Sequence, residues 1–165
     1  MFHDPRRFPF VAVLEREWQA IRDEYAGVRD ALVDWHETKL YEGGGWKVFP
    51  IFDFPRGEPL PDRVARCPHT ARIVREHIPH HGTAGFSVLL PHTRVKPHEG
   101  YQGDFLRCHV GLEIPAGDGG LRVAGETQSW RAGAALVFDD RVTHEAWNDT
   151  PFERAVLLVD FVPPR

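Results

Sequence analysis

The sequence predicts an α+β protein in which two helices lead into a β-sandwich or β-barrel. Apolar residues in the first part of the chain recur at helical spacing. From Gly85 onward the chain instead consists of short β-type runs separated by turn-forming segments, with no further helical pattern. Helices followed by many short strands are typical of a β-core that carries its helices on one outer face.

The first helix is predicted over residues 12–34. Its apolar residues are spaced by four and three positions, and they are Leu14, Trp18, Ile21, Tyr25 and Val28. The three glycines at 43–45 break this pattern, and β-type residues follow them. A second helix is predicted over residues 69–78, with Pro68 or Thr70 near its start.

The β-core is predicted from a set of short runs rich in strand-forming residues. They are FSVLL at 86–90, FLRCHVGLEI at 105–114, GLRVAGE at 120–126, ALVFDD at 135–140, THEAW at 143–147 and RAVLLVDFV at 154–162. Turn chemistry separates them in PHTRVKPHEGYQG, PAGDGG and NDTPFE.

Composition excludes several classes of protein. The 165 residues suit one domain, and 42% hydrophobic residues suffice for a core. A net charge of -4 argues against broad nucleic-acid binding, which needs a positive surface. No segment approaches the roughly 20 apolar residues of a membrane span, and the first residues do not form a signal peptide. Because Cys67 and Cys108 are too few for a disulfide framework, we expect a cytoplasmic protein.

The run FLRCHVGLEI places a cation and an imidazole on one strand face. Side chains of an extended strand alternate between faces. One face would carry Phe105, Arg107, His109 and Gly111, and the other Leu106, Cys108, Val110 and Leu112. The second face is apolar and predicts core. Since burying an arginine without an anion is costly, the first face meets either solvent or an acid.

The last run also combines a cation with apolar residues, since Arg154 stands at its start. The ordinary interpretation is a strand-edge residue with a surface ion pair, and the alternative is an anion-binding arginine at a pocket floor. His98 and His144 lie in loops or at strand ends, and neutral imidazole is a common ligand for iron. Helical metal motifs, C-x-x-C pairs, nucleophile elbows and phosphate-binding loops are absent from the sequence.

Six of these segments resemble the aspartyl/asparaginyl β-hydroxylase family of Fe(II)/2-oxoglutarate-dependent oxygenases, in the family's order. They are FSVLLPHTRVKPHEG, LRCHVGLEIP, LRVAGETQSW, GAALVFDD, HEAWN and RAVLLVDF. The resemblance implies a double-stranded β-helix, which is a cupin-like jelly roll with the N-terminal helices packed on one face. It implies a single oxygenase domain over 1–165, with a helical part and first strands over 1–83 and the β-helix core over 84–165.

The resemblance implies a metal site that lacks the usual carboxylate. His98 and His144 correspond to the family's two metal ligands, and Gly100 stands where related oxygenases carry an Asp or Glu. The aspartyl/asparaginyl hydroxylases are known for this departure. Glu99 is one residue away and would point off the metal on an extended backbone.

The resemblance also implies a site for 2-oxoglutarate. Arg154, with Ser87 helping, corresponds to the partner of its distal carboxylate. Arg107 and His109 correspond to the contacts to the carboxylate nearer the metal, and Trp46 to a further cosubstrate-side residue. A dicarboxylate needs a cation at each end, and the sequence offers two arginines.

The implied activity uses Fe(II), O2 and 2-oxoglutarate to hydroxylate an unactivated carbon, giving succinate and CO2. The expected substrate is an amino acid or a peptide- or protein-bound residue, hydroxylated in the Asp/Asn manner or by a biosynthetic relative of that reaction. Related bacterial branches act on lipid acyl chains or free amino acids. Phe105 stands where better-known members carry an arginine that binds the acidic side chain of the substrate, so the resemblance does not extend to aspartate in a protein as the substrate.

Two other functions remain open from the residues. One is a non-redox cupin-like enzyme or metal-binding protein that uses His98, His109 and His144 together. The other is a binding module that keeps the fold without catalysis. Asp139 and Asp140 are predicted to fix the turn before His144, and Trp130 is predicted to be core or pocket wall.

Overall fold

Two antiparallel sheets and three α-helices make up the fold in the computed structural model, which describes residues 1–164. The strands are β1 (Phe2–His3), β2 (Val33–Asp34), β3 (Tyr41–Gly43), β4 (Trp46–Phe52), β5 (His81–Leu89), β6 (Thr93–His98), β7 (Leu106–Glu113), β8 (Gly119–Val123), β9 (Glu126–Gln128), β10 (Ala135–Phe138), β11 (His144–Asn148) and β12 (Arg154–Phe161). The helices are α1 (Phe10–Ala26), α2 (Pro61–Arg66) and α3 (Pro68–His77).

The sheets have the crossed strand order of a jelly roll. The seven-stranded sheet has the order β1-β10-β7-β12-β5-β4-β2, and the five-stranded sheet has the order β3-β6-β11-β8-β9. Strands from the first and second halves of the chain share both sheets, and β5 runs across the predicted boundary at 83/84. The predicted double-stranded β-helix is therefore confirmed.

The first helix differs from its prediction at both ends. It begins at Phe10 and ends at Ala26, well before residue 34. The N–H of Gly27 bonds to the last carbonyls of the helix, and the chain then forms a short 3₁₀ turn at Arg29–Ala31. Val28 is still buried, so it extends the apolar stripe without extending the helix. Periodicity alone could not separate these two cases.

The other predicted elements agree better with the structure. The second helix forms over Pro68–His77 with its proline in the first turn, and the six β-type runs all form strands. The run at 120–126 contains a turn at Ala124 and Gly125, both with positive φ, that separates β8 from β9. The sequence did not predict α2, β6 or the short strands β1, β2 and β3, and β2 lies within the span predicted as the first helix. The helix α2 is too short to show periodicity, and β6 lies inside the segment PHTRVKPHEGYQG, which the sequence predicts to be a turn-forming separator.

Two apolar layers surround the seven-stranded sheet. The helices pack on its outer face, where Leu14 and Ile21 of α1 join Cys108 and Val110 of β7 in one buried cluster. The predicted apolar face of β7 and the predicted packing of the helices on one side are both confirmed. A second, smaller cluster fills the space between the two sheets and includes Val156 of β12. Within residues 1–164, we find no helix with the length and apolar character needed to cross a bilayer.

Candidate active site

The side chains predicted to bind metal and cosubstrate meet in one small cavity between the two sheets. Its volume is about 40 Å³. The lining includes every site residue named from the sequence, which are Trp46, Ser87, His98, Arg107, His109, His144 and Arg154. The seven-stranded sheet contributes most of these residues, and β6 and β11 of the smaller sheet contribute the two predicted metal ligands. Their individual roles remain predictions, but the fold brings all of them together.

His98 and His144 face each other on neighbouring strands. They are register partners in the β6–β11 pair, and their ring centroids lie 4.3 Å apart. The Nδ1 atom of His98 lies 2.7 Å from the carbonyl of Lys96, and that of His144 lies 2.9 Å from the carbonyl of Val142. A carbonyl only accepts, so in both rings Nδ1 carries the proton and Nε2 keeps its lone pair. Burial lowers the pKa of His144 to about 4, which keeps that ring neutral.

His109 has the opposite tautomer. The indole N–H of Trp130 donates to its Nδ1 over 3.2 Å, so Nε2 must carry the proton. That Nε2 is buried and has no hydrogen-bond partner. Burial, followed by the charge of Arg154, lowers the pKa of His109 well below its usual value, so the ring is neutral. His109 therefore presents a donor and not a metal-binding lone pair.

Arg154 is a buried cation without a counter-ion. The residue is 3% exposed, and within residues 1–164 its Nε and Nη1 atoms have no hydrogen-bond partner. The guanidinium carbon lies 4.4 Å from the ring centroid of Trp130, a cation–π contact that uses none of the N–H donors. Burial lowers the pKa of Arg154 to about 9. The predicted surface ion pair is wrong, and the alternative of an arginine on a pocket floor fits the structure.

The guanidinium of Arg107 forms ion pairs with two aspartates of the protein itself. Its Nε and Nη2 donate to the two carboxylate oxygens of Asp160 over 2.7 and 2.9 Å, and Nη1 lies 3.1 Å from Asp140. Burial alone would lower the pKa of Arg107, but the two carboxylates outweigh it and raise the pKa above the usual value. Arg107 lines the cavity as predicted, yet its charge is already balanced.

Trp46 and Ser87 form one unit on adjacent strands. The indole N–H of Trp46 donates to the hydroxyl oxygen of Ser87 over 3.0 Å. Since that oxygen accepts, the hydroxyl hydrogen remains available for an acceptor in the cavity. The indole ring of Trp46 also stacks on that of Trp35, with ring centroids 4.9 Å apart.

Gly100 has no room for a side chain. Its N–H donates to the Asp140 carbonyl over 2.7 Å, and an added Cβ would lie 2.8 Å from that carbonyl oxygen and 2.5 Å from Oδ2 of the same residue. Glu99 is exposed, as expected for a residue that points off the site. In the described part of the chain, no group of three or more His, Cys, Asp or Glu side chains is arranged to hold a metal ion. Within residues 1–164, the structure thus offers no third such side chain beside His98 and His144, the two predicted metal ligands.

We expect Gly100→Asp to destabilise the protein by about 1–3 kcal/mol, because the new Cβ overlaps Asp140. Gly100→Ala is the matched control, since it adds the same Cβ without a carboxylate and should lose as much. Urea denaturation measures both. A stable Gly100→Asp protein beside a destabilised Gly100→Ala protein would show that charge, and not space, governs this position.

Sequence reasoning did not predict the contacts that Asp140, Asp160 and Trp130 make in the site. Asp139 fixes the turn before His144, as predicted, by accepting from the N–H of Arg141. Asp140 was given the same role but instead contacts Arg107. Asp160 had a usable signal, because alternation places it on the same face of its strand as Arg154. Trp130 lines the pocket as predicted, but no local pattern indicates its two polar contacts.

The fold and the site together define a double-stranded β-helix protein with a two-histidine cluster beside an unpaired buried arginine. The family model for aspartyl/asparaginyl beta-hydroxylase matches residues 15–164, which is most of the chain. The chain belongs to this family.

Similar proteins differ in what they act on. The chain is 34% identical to an ornithine lipid ester-linked acyl 2-hydroxylase of Rhizobium tropici, over 98% of this chain and 60% of that protein. It is also 34% identical to human aspartyl/asparaginyl beta-hydroxylase, over 93% of this chain and 21% of that protein. The chain thus spans only part of the length of these relatives.

Solved structures agree on the fold. A Pseudomonas putida prolyl-4-hydroxylase matches with a TM-score of 0.57 at 15% identity, covering 94% of this chain and 100% of that one. A predicted oxalate decarboxylase of Thermotoga maritima matches with a TM-score of 0.50 at 13% identity, over 80% of this chain and 92% of that one. At these identities the likeness concerns the jelly-roll architecture alone.

Proposed function

We propose that the chain is an Fe(II)- and 2-oxoglutarate-dependent dioxygenase. It would hydroxylate an unactivated carbon of an amino acid or amino-acid residue, either free or in a peptide, and release succinate and CO2. The observation that carries this proposal is the unpaired, buried guanidinium of Arg154, which lines the same cavity as the His98–His144 pair. A buried cation without a partner is costly, so its retention indicates a bound anion.

The donor set fits the cofactors. The two Nε2 lone pairs of His98 and His144 suit Fe(II), which imidazole binds well. Arg154 offers two unpaired N–H groups, His109 offers Nε2–H and Ser87 offers its hydroxyl hydrogen. These groups would donate hydrogen bonds to the oxygens of a dicarboxylate, whereas a second cation on the cavity wall, Arg107, is already balanced by two aspartates.

When bound, Fe(II) with 2-oxoglutarate and O2 supplies the oxidising chemistry, and the protein supplies binding and orientation. His98 and His144 would hold the metal through Nε2, and their hydrogen bonds from Nδ1 to backbone carbonyls orient the two rings for this role. Arg154 and Ser87 would orient the distal carboxylate, and His109 the carboxylate nearer the metal. The apolar residues between the sheets exclude water from the site.

The tautomer of His109 argues against the cupin-like alternative with three histidine ligands. A metal would need the Nε2 lone pair, but Trp130 donates to Nδ1 and leaves the proton on Nε2. A non-catalytic module is also disfavoured, since nothing in it would require a neutral donor and an unpaired cation in one small cavity. We retain the cytoplasmic location as part of the proposal, since both cysteines are buried free thiols.

The direct test is cosubstrate turnover. The purified chain is incubated with Fe(II), ascorbate, 2-oxoglutarate and O2, and succinate is followed by NMR, with and without peptides and free amino acids as substrates. We expect slow succinate formation without substrate and faster formation with a suitable one. The absence of succinate under all of these conditions, from a folded protein that binds iron, would contradict the proposal.

Trp130→Phe should weaken 2-oxoglutarate binding by roughly tenfold or more. Phenylalanine keeps an aromatic ring under Arg154 but removes the N–H that sets the tautomer of His109. The expected change is a higher KM for 2-oxoglutarate with a smaller effect on kcat, measured by initial rates of succinate formation. Trp18→Phe on the helix α1 is the matched control and should leave both constants unchanged. Equal changes of KM and kcat in the two variants would mean that Trp130 contributes packing alone and does not position His109.

A further inference from the structure

A second, larger cavity adjoins the candidate active site. Its volume is about 400 Å³, which is within the range of small-molecule sites of about 300–1,000 Å³. Four residues line both cavities, namely Trp46, Ser87, Arg107 and Leu158. A molecule bound in the larger cavity would therefore lie directly beside the cosubstrate side of the site.

The walls of the larger cavity are mostly apolar. Side chains of β4, β12 and the segments around them supply most of the surface, and they include Trp35, Val48, Pro50, Phe54, Leu60 and Leu158. The strand β5 contributes three small residues, Thr83, Gly85 and Ser87, together with the larger Phe86. An added Cβ at Gly85 would lie 2.4 Å from the Phe49 carbonyl oxygen, so neighbouring backbone keeps this position small.

The charges in the lining do not suit an acidic group. Among the lining residues of the described chain, Arg107 is the only permanent cation, and it already faces Asp160 and Asp140. The lining also contains Asp34 and Asp53. A carboxylate in this cavity would lose its hydration and find no unpaired permanent cation among the described lining residues. It would also lie near the carboxylate of Asp53, whereas the charge of Asp34 is paired with Lys47 over 2.8 Å. A hydrocarbon group meets none of these penalties.

Exposed apolar side chains gather at the mouth of this cavity. In residues 1–164 the large exposed hydrophobic residues include Val33 and Phe54, which line the cavity and are 44% and 43% exposed. Tyr101 is 49% exposed, and its ring centroid lies 5.6 Å from that of Phe54. Exposed apolar residues that cluster, and are not scattered, mark a binding surface.

We propose that the larger cavity is the substrate site and that the substrate presents a hydrocarbon group to it, not an acidic side chain. This inference rests on the proposed function for the identity of the reaction, but it concerns only what this cavity binds. The hydrocarbon could come from an apolar amino-acid side chain or from an acyl chain. In either case the polar part of the substrate would remain at the mouth, near Asp34 and Asp53.

Binding of three uncharged-backbone probes tests the proposal. They are N-acetyl-leucine amide, N-octanoyl-glycinamide and N-acetyl-aspartate amide, which present an apolar side chain, an acyl chain and an acid. Calorimetric titrations use the full chain, first without additions and then with Fe(II) and 2-oxoglutarate under nitrogen. We expect one or both hydrocarbon probes to bind at least about tenfold more tightly than the aspartyl probe, with a negative heat-capacity change.

Variants link this binding to the cavity. Val48→Asp places a carboxylate on the wall and should reduce affinity for the hydrocarbon probe by about tenfold or more. Phe54→Ala, at a position that is 43% exposed, should reduce it roughly threefold. Phe152→Asp is the control, because Phe152 is exposed outside this cavity and should have no effect.

The order of the three binding affinities tests whether the cavity prefers a hydrocarbon group and which kind it prefers. Tighter binding of the leucyl probe indicates an amino-acid source, and tighter binding of the octanoyl probe indicates an acyl source. Equal affinities, a preference for the aspartyl probe or no binding of any probe would overturn the inference. Titrations without metal or cosubstrate do not depend on turnover, so failure here and failure of the oxygenase proposal are separate results.

Discussion

Replacement of Arg154 by methionine is expected to weaken 2-oxoglutarate binding by at least about 100-fold while making the ligand-free protein more stable. The affinity falls because charge-assisted hydrogen bonds to a carboxylate, each about 1.5–3 kcal/mol, are lost. The stability rises because the guanidinium is buried without a counter-ion, and an apolar group of similar length removes that penalty. The cation–π contact with Trp130 offsets part of the gain, so we expect about 1 kcal/mol.

Calorimetric titration and thermal unfolding measure the two effects on one sample. Arg154→Lys is the matched control, because it keeps the charge but loses the planar fork, and it should recover only part of the affinity. A merely structural role predicts the reverse pattern, with loss of stability and unchanged cosubstrate affinity. Addition of 2-oxoglutarate should also raise the unfolding temperature of the wild type but not of Arg154→Met.

The second large effect is expected from His98→Ala and His144→Ala. Each removes one of the two proposed protein ligands, so we expect succinate formation to fall by at least about 100-fold. His92→Ala is the control, since this exposed histidine contacts Asp149 and lies outside the cavity. Mn(II) binding followed by electron paramagnetic resonance separates loss of metal from loss of folding, which circular dichroism reports. Robust turnover in both variants would exclude this pair as the metal site.

The parts of the fold that the sequence predicted are those with a strong local period. Alternation in β7 placed Cys108 on the core face and Arg107 and His109 together on the opposite face, and the structure confirms this division. The end of α1 at Ala26 was not predicted because Val28 continues the apolar stripe beyond the helix. A local pattern records which face is buried but not where the hydrogen-bonded helix stops.

The contacts of the site depend on long-range register, which one sequence does not reveal. Asp160 balances Arg107 because the two residues are register partners on β12 and β7. The alternation in the sequence required an acid or solvent for Arg107 but could not show that the acid belonged to the protein. Trp130 lies outside the strands that carry its partners, so its contacts with His109 and Arg154 arise only from the tertiary fold.

The position of Trp130 between these two partners has a consequence for engineering the cosubstrate site. One indole fixes the proton on His109 through its N–H and supports Arg154 through its ring. Substitutions within this trio would therefore be strongly non-additive, since changing the indole alters both partners at once. To make the site accept a cosubstrate other than 2-oxoglutarate, all three positions would have to be varied together. Testing substitutions one position at a time would reject combinations that function only when all three residues are changed.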